Sequence, residues 1–261
     1  MDTRFAFGKN WARYSALIDQ SRIAAAEQSL KSMLEVETLD GMKFLDIGSG
    51  SGLFSLAARN LGAEVYSFDY DTDSVACTEA LKARYYPADA HWVVERGDVL
   101  DANYMGALGE FDVVYSWGVL HHTGDMWRAL GNVVPLVQSN GLLFIALYND
   151  QRWLSRYWLF VKRIYNKSAL GRLAVMMAHA PYFLARQGVK RLIKPSSSDK
   201  RGMDAWRDII DWLGGYPFEV ARPEEVLAFY RARGFTLEKM TTVDSRHGCN
   251  EYVYRCSSNQ A

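Results

Sequence analysis

Apolar positions recur at two different periods along this chain, and the switches between those periods mark its elements. From about residue 10 to 38 alanines and leucines repeat at helical spacing, as in Ile23-Ala24-Ala25-Ala26-Glu27-Gln28-Ser29-Leu30. The turn at Asp40-Gly41 opens a short apolar run, Lys43 to Ile47, bounded by glycine and too short for a helix; it reads as a buried strand. Helices and strands then alternate. The spacing predicts helices over about 53–61, 72–85 and 125–137, and strands over 64–68, 91–94, 112–117 and 142–147. Five strands separated by helices predict an α/β fold, because parallel neighbours need a long crossover and a helix usually supplies it.

The alternation stops at residue 150. Residues 150–201 are helical and apolar without a strand signal and end in Lys194-Pro195-Ser196-Ser197-Ser198. A helix over Pro223–Arg233 follows, then two strand-like runs, Phe235–Val243 and Glu251–Cys256, around the turn-rich Asp244–Asn250. The expected organisation is a helical arm or lid (1–40), an α/β core (41–149), a helical cap insertion (150–220) and a closing helix and hairpin (221–261).

Composition narrows the class. The 261 residues carry 30 basic and 30 acidic side chains, so net charge gives no support to a nucleic-acid binder. Cys77, Cys249 and Cys256 lack metal-ligand spacing, which suits a reducing cytoplasm. The N-terminal MDTRFAFGKNW lacks the apolar segment of a signal peptide. No uncharged apolar stretch reaches the roughly 18–20 residues needed to span a bilayer. A cytoplasmic protein is expected, with peripheral contact at the inner face of a membrane as an option.

Candidate chemistry begins in Phe44-Leu45-Asp46-Ile47-Gly48-Ser49-Gly50-Ser51-Gly52, which sets three glycines between a strand and a helix. Glycine there lets the backbone turn tightly and approach a ligand beside the helix N-terminus. Asp69 ends the second strand, where a carboxylate can accept both hydroxyls of a ribose. Asp98 follows the third strand, and Asp112–Trp117 leads into Gly118-Val119-Leu120-His121-His122. A nicotinamide-dinucleotide site would also use Asp69, about 20 residues past the loop, but it wants a glycine where this chain has Leu53.

Loop, first acid, second acid and strand-four rim, in this order, resemble class I methyltransferases that use S-adenosylmethionine (SAM). The resemblance covers residues 43–148 well and the closing hairpin loosely. It implies a Rossmann-like, seven-stranded, mostly parallel sheet with a C-terminal antiparallel hairpin. It also implies SAM as cofactor: Asp46 and the loop Gly48, Ser49, Gly50 and Gly52 at the methionine end, Asp69 at the ribose, Asp98 and Val99 framing the adenine. Trp117 would pack nearby or serve the core, and Tyr70 would flank the adenine.

Methyl transfer needs alignment and exclusion of water more than bond-making by the protein. An oxygen nucleophile often also needs a base, for which histidine has the best-placed pKa. His121 and His122 follow strand four, and His247 lies in the loop before the last strand; these three are the candidate catalytic residues. His91 and His179 read as structural. No carboxylate cluster marks a metal site.

The insertion carries the second signal. Between Gln151 and Arg201 twelve basic residues, from Arg152, Arg156, Lys162 and Arg163 to Arg201, face only Asp199. Trp153, Tyr157, Trp158, Phe160, Tyr165, Met176 and Met177 are interleaved with them. Three readings are open: a solvated helical cap, a surface that docks on anionic lipid, or a pocket for a negatively charged substrate. The N-terminal Phe5, Phe7, Trp11 and Tyr14 suggest a lid. As a whole the chain resembles the ubiquinone-biosynthesis branch of small-molecule O-methyltransferases, which implies methylation of oxygen on a small or lipid-linked acceptor. A soluble enzyme for an anionic metabolite and a non-catalytic SAM-binding accessory protein are the alternatives.

Overall fold

In the computed structural model the described residues are 11, 18–193, 212–243 and 248–257, with the side chains of 182–193 excepted. Seven strands form one sheet: β1 (Lys43–Ile47), β2 (Glu64–Asp69), β3 (Trp92–Arg96), β4 (Phe111–Trp117), β5 (Val137–Tyr148), β6 (Phe235–Thr241) and β7 (Cys249–Cys256). The helices are α1 (Gln20–Leu34), α2 (Leu53–Asn60), α3 (Thr72–Tyr85), α4 (Ala102–Ala107), α5 (Met126–Val133), α6 (Trp153–Lys167), α7 (Ala169–Ile193) and α8 (Pro223–Arg231). The order across the sheet is β3-β2-β1-β4-β5-β7-β6. Strands β1 to β5 pair in parallel, and β7 lies antiparallel between β5 and β6.

Alternation along each strand sends side chains to opposite faces. Phe44, Val65, Val113 and Phe144 go to one face and pack with Ile23 and Leu30 of α1 and Leu56 of α2. Leu45, Val114, Ile145 and Tyr254 go to the other and pack with Leu130 of α5 and Val226 and Tyr230 of α8. A third cluster, with Trp158, Val161, Tyr165, Val175, Leu213 and Phe218, joins the α6–α7 hairpin to the segment after it. The strand order reverses between β1 and β4, so the loops at their carboxyl ends diverge and open a crevice.

Several boundaries differ from the sequence expectation for local reasons. The helix expected over 125–137 ends at Val133, because Pro135 turns the chain into a short 3₁₀ segment. Strand β5 starts at Val137 rather than 142, continuing through a register shift opposite Phe111/Val113. Helix α4 was not expected: six residues are too few for a visible period, and the side chain of Asp101, accepting from the Asn103 and Tyr104 amides, starts it. The described part of the N-terminal arm is α1, capped by Asp19.

Candidate cofactor and acceptor site

The loop from β1 into α2 is held in a shape that its glycines permit. Gly48, Gly50 and Gly52 have φ of +78°, +56° and +78°. A Cβ on Gly48 would lie 2.4–2.9 Å from the Val119 side chain, so strain and overlap both exclude a larger residue. Gly48 and Ser49 donate their amides to the Phe68 carbonyl, and the Ser49 hydroxyl meets Thr78 Oγ1 at 2.9 Å. The Trp11 indole packs on Gly50, 3.1–3.5 Å from where a Cβ would stand. That contact agrees with a lid; Phe5, Phe7 and Tyr14 lie outside the described residues.

Two carboxylates close the loop from below. Asp69 at the end of β2 accepts the Gly50 amide at 3.0 Å and the Asp71 amide at 2.9 Å. Asp46, 2% exposed, accepts the Ser55 hydroxyl at 2.5 Å. Burial pushes Asp46 up to about 7, against the pull of Ser55 and with a further push from the Asp69 charge. Burial also raises Asp69 to about 6, against the amides of Asp71 and Gly50. Two buried acids beside each other are stabilised by a cationic partner. With a backbone cradle that admits no Cβ, the residues present fit SAM, which carries a sulfonium and an ammonium.

The adenine side is less uniform. Asp98 follows β3 and accepts the Leu100 amide at 2.9 Å. Tyr70 is exposed beneath the Arg96 guanidinium, 5.6 Å from its ring centre. Val99 buries its side chain in the core beneath. The Trp117 indole N–H donates to Glu251 on β7 at 2.8 Å, on the opposite side of β1 from Asp98. Strands β3 and β4 stand three positions apart, roughly 14 Å at the usual spacing.

The histidine pair divides into an inner and an outer member. After β4 the chain makes a single turn over Leu120–His122. His121 is fully buried, its ring 4.0 Å from that of Tyr148, and burial with the charges of His122 and Lys162 drives its pKa far down. The His121 ring thus packs inside the turn against Tyr148. His122 is half-buried, and its Nδ1 meets the Pro217 carbonyl at 2.6 Å. Since that carbonyl only accepts, Nδ1 carries the proton and Nε2 the lone pair. Burial lowers His122 to about 3, with Pro217 opposing and Lys162 adding to the shift. The imidazole is therefore neutral at physiological pH. His247 lies outside the described residues.

Residues of the basic insertion and of the aromatic segment that ends in Phe218-Glu219 complete this rim. Lys162 of α6 is buried, donates to the Trp212 carbonyl, and sits 4.9 Å from the ring centres of Trp212 and Phe218. The Glu219 carboxylate accepts the Met126 amide at the start of α5, and its own amide donates to the His121 carbonyl. The segment after the cap thus clamps the histidine turn. Tyr148, Trp158, Trp212 and Phe218 line a cavity of only about 10 Å³ under the cap. His91 pairs with Glu64, and His179 bonds Tyr157 and the Val175 carbonyl. Among the described residues no group of acidic, histidine and cysteine side chains has the arrangement of a metal site.

Residues 45–143, the segment that builds this loop, acid pair and rim, match the model of the methyltransferase domain family. Over that segment the chain is similar to a methyltransferase domain. Outside it the similarity thins. The ubiquinone biosynthesis O-methyltransferase of Rhodopseudomonas palustris is 25% identical over 134 residues, 51% of this chain and 50% of that protein. The Brucella anthropi protein of that name is 30% identical over 128 residues, 47% of this chain and 46% of its own. The chain thus spans about half the length of the curated relatives it matches. Magnesium protoporphyrin IX methyltransferase from Synechocystis, solved with bound S-adenosylhomocysteine (SAH), superposes with a TM-score of 0.56 at 13% identity, covering 91% of this chain and 84% of that one. The cyclase SpnF superposes at 0.55 with 14% identity, covering 90% and 80%. These likenesses show the fold alone, and the cyclase among them shows that the fold does not decide the reaction.

Proposed function

We propose that the protein binds SAM and transfers its methyl group to an oxygen of a small or lipid-linked acceptor. The observation that carries this reading is the glycine cradle closed by Asp46 and Asp69, with His122 on the rim across the strand-order reversal. Bound SAM supplies a methyl group already activated by its sulfonium. Asp46 and the loop from Gly48 to Gly52 hold the methionine end, Asp69 orients the ribose, and Asp98 meets the adenine. Trp11 covers the loop and keeps water from it. On the acceptor side the neutral His122 offers Nε2 as acceptor for the hydroxyl proton, and Tyr148, Trp212 and Phe218 give an apolar wall. Because the cavity under the cap has room for about one water, acceptor entry requires the α6–α7 hairpin to shift outward.

The same hairpin supports a membrane-facing role. Trp153 (74% exposed), Phe160 (62%), Leu170 (77%) and Met177 (71%) stand in water among Arg156, Arg163, Lys167 and Arg172. Among the described residues no helix is long and apolar enough to cross a bilayer. Exposed aromatic and aliphatic side chains between basic ones suit the headgroup boundary of an anionic membrane. Buried Lys162 favours the second reading, an acidic metabolite as acceptor.

Titration calorimetry with SAM tests the first step, and absence of binding defeats the whole reading. Methyl-transfer profiling with labelled SAM, against a cell extract split into lipid and aqueous fractions, tests the acceptor. Label in the lipid fraction supports the first reading, and label confined to acidic solutes supports the second.

A further inference from the structure

Asp46 is tied to the interior by a chain of hydrogen bonds whose direction has one solution. The Trp92 indole on the edge strand β3 donates to Ser67 Oγ on β2 at 3.0 Å. Ser67 Oγ donates to Ser55 Oγ on α2 at 2.8 Å, and Ser55 Oγ donates to Asp46 Oδ2 at 2.5 Å. An indole N–H only donates and an ionised carboxylate only accepts. Every hydroxyl between them therefore points its proton toward Asp46. Trp92, Ser67 and Ser55 are fully buried, and Ser67 is the register partner of Asp46 on β2.

Polar groups at this depth cost free energy unless each is satisfied. An apolar strand–helix contact here would have needed none of them. Four satisfied groups in one line, ending on the Asp46 carboxylate two residues before the first glycine of the loop, also polarise one another in the same direction.

We propose that Ser55, Ser67 and Trp92 are positioning residues, which fix the Asp46 carboxylate and favour its ionised form for the cationic end of SAM. This rests on the reading that the chain binds SAM. Burial and the Asp69 charge favour the protonated acid at Asp46, and the Ser55 hydroxyl is the group that opposes them. Among the described residues the titratable neighbours of Asp46 are Asp69 at the end of β2 and Tyr115, its register partner on β4. Neither brings a positive charge, and the Ser55 hydroxyl is the group that favours the ionised acid.

The test is calorimetric binding of SAM and SAH to the full chain across pH, with thermal unfolding to verify that each variant is folded. Ser55→Ala should weaken SAM about tenfold near neutrality and move the pH midpoint of SAM binding upward. Ser67→Ala should move both in the same direction by less, because only the polarisation of Ser55 is lost, and Ser67→Thr should restore them. SAH, which lacks the sulfonium, should respond less than SAM. A folded Ser55→Ala protein with the wild-type midpoint overturns the relay, whether or not its affinity falls. If the unaltered chain binds neither SAM nor SAH, the functional reading fails instead.

Discussion

At the scale of single residues, the two acids of the cofactor site set a measurable pH dependence. Asp46 and Asp69 titrate near 7 and 6 in the ligand-free protein. A cationic ligand favours their ionised forms, so SAM affinity should rise as pH climbs through this window and level off above it. Asp69→Ala should remove most of the binding, and calorimetry at three pH values checks both. For folding the sign is reversed. Raised folded-state values stabilise the ligand-free chain below the ordinary carboxylate value of 3.8, and that contribution is lost as pH rises through 6 and 7. His122 gives a contrasting case. With its pKa near 3 it stays neutral from mild acid to mild base, so it should contribute no inflection near 6.5 to the pH–rate profile. His122→Gln should lower turnover about a hundredfold while SAM affinity holds. An inflection near 6.5 that disappears in this variant would contradict the neutral assignment.

At the scale of elements, the loop between β1 and α2 and the cap hairpin behave oppositely. The loop tolerates no change: Gly48→Ala must adopt a left-handed backbone and enter the Val119 side chain, at a cost of about 3 kcal/mol. Urea unfolding should show that loss, and a smaller one would mean that Val119 moves aside. The outer face of α6 and α7 tolerates substitution in water because nothing there is packed. Replacing Trp153, Phe160, Leu170 and Met177 together by serine should leave thermal stability near its original value. It should also abolish flotation with anionic vesicles; equal flotation of the altered and unaltered proteins would remove the membrane role from this face. Neutral vesicles should bind the unaltered chain less, since the basic residues add about 1 kcal/mol each at an anionic surface.

Elements with a strong period, such as α2 over Leu53–Asn60 and the buried run of β1, were legible because burial dictates their pattern. Helix α4 and the early start of β5 were not. One depends on a single capping carboxylate, and the other on a pairing to a strand 26 residues earlier in sequence.

At the scale of the whole molecule, the crevice exists because the strand order reverses between β1 and β4, and Asp46, Asp69, Asp98 and the histidine turn lie at or just beyond the carboxyl ends of their strands. The segment after the insertion returns to this crevice: Ala221 bonds Tyr148, Pro217 accepts from His122, and Glu219 binds the start of α5. These bonds tie the segment after α7 to the histidine turn, so under the proposed function a shift of the α6–α7 hairpin should be felt at His122.

The sequence by itself determined the alternating fold, the glycine loop, both acids of the cofactor site and the basic character of the insertion. Those features are local: each follows from periodicity, from a backbone only glycine adopts, or from a residue at a strand end. Tertiary structure alone decided which histidine faces the crevice, that Trp117 turns toward Glu251, that Val99 is core, and that Trp92 reaches Asp46 through two serines. Each of these depends on neighbours from other strands and helices. A side chain's burial and its hydrogen-bond partner are properties of the packed sheet, and no window of sequence contains them.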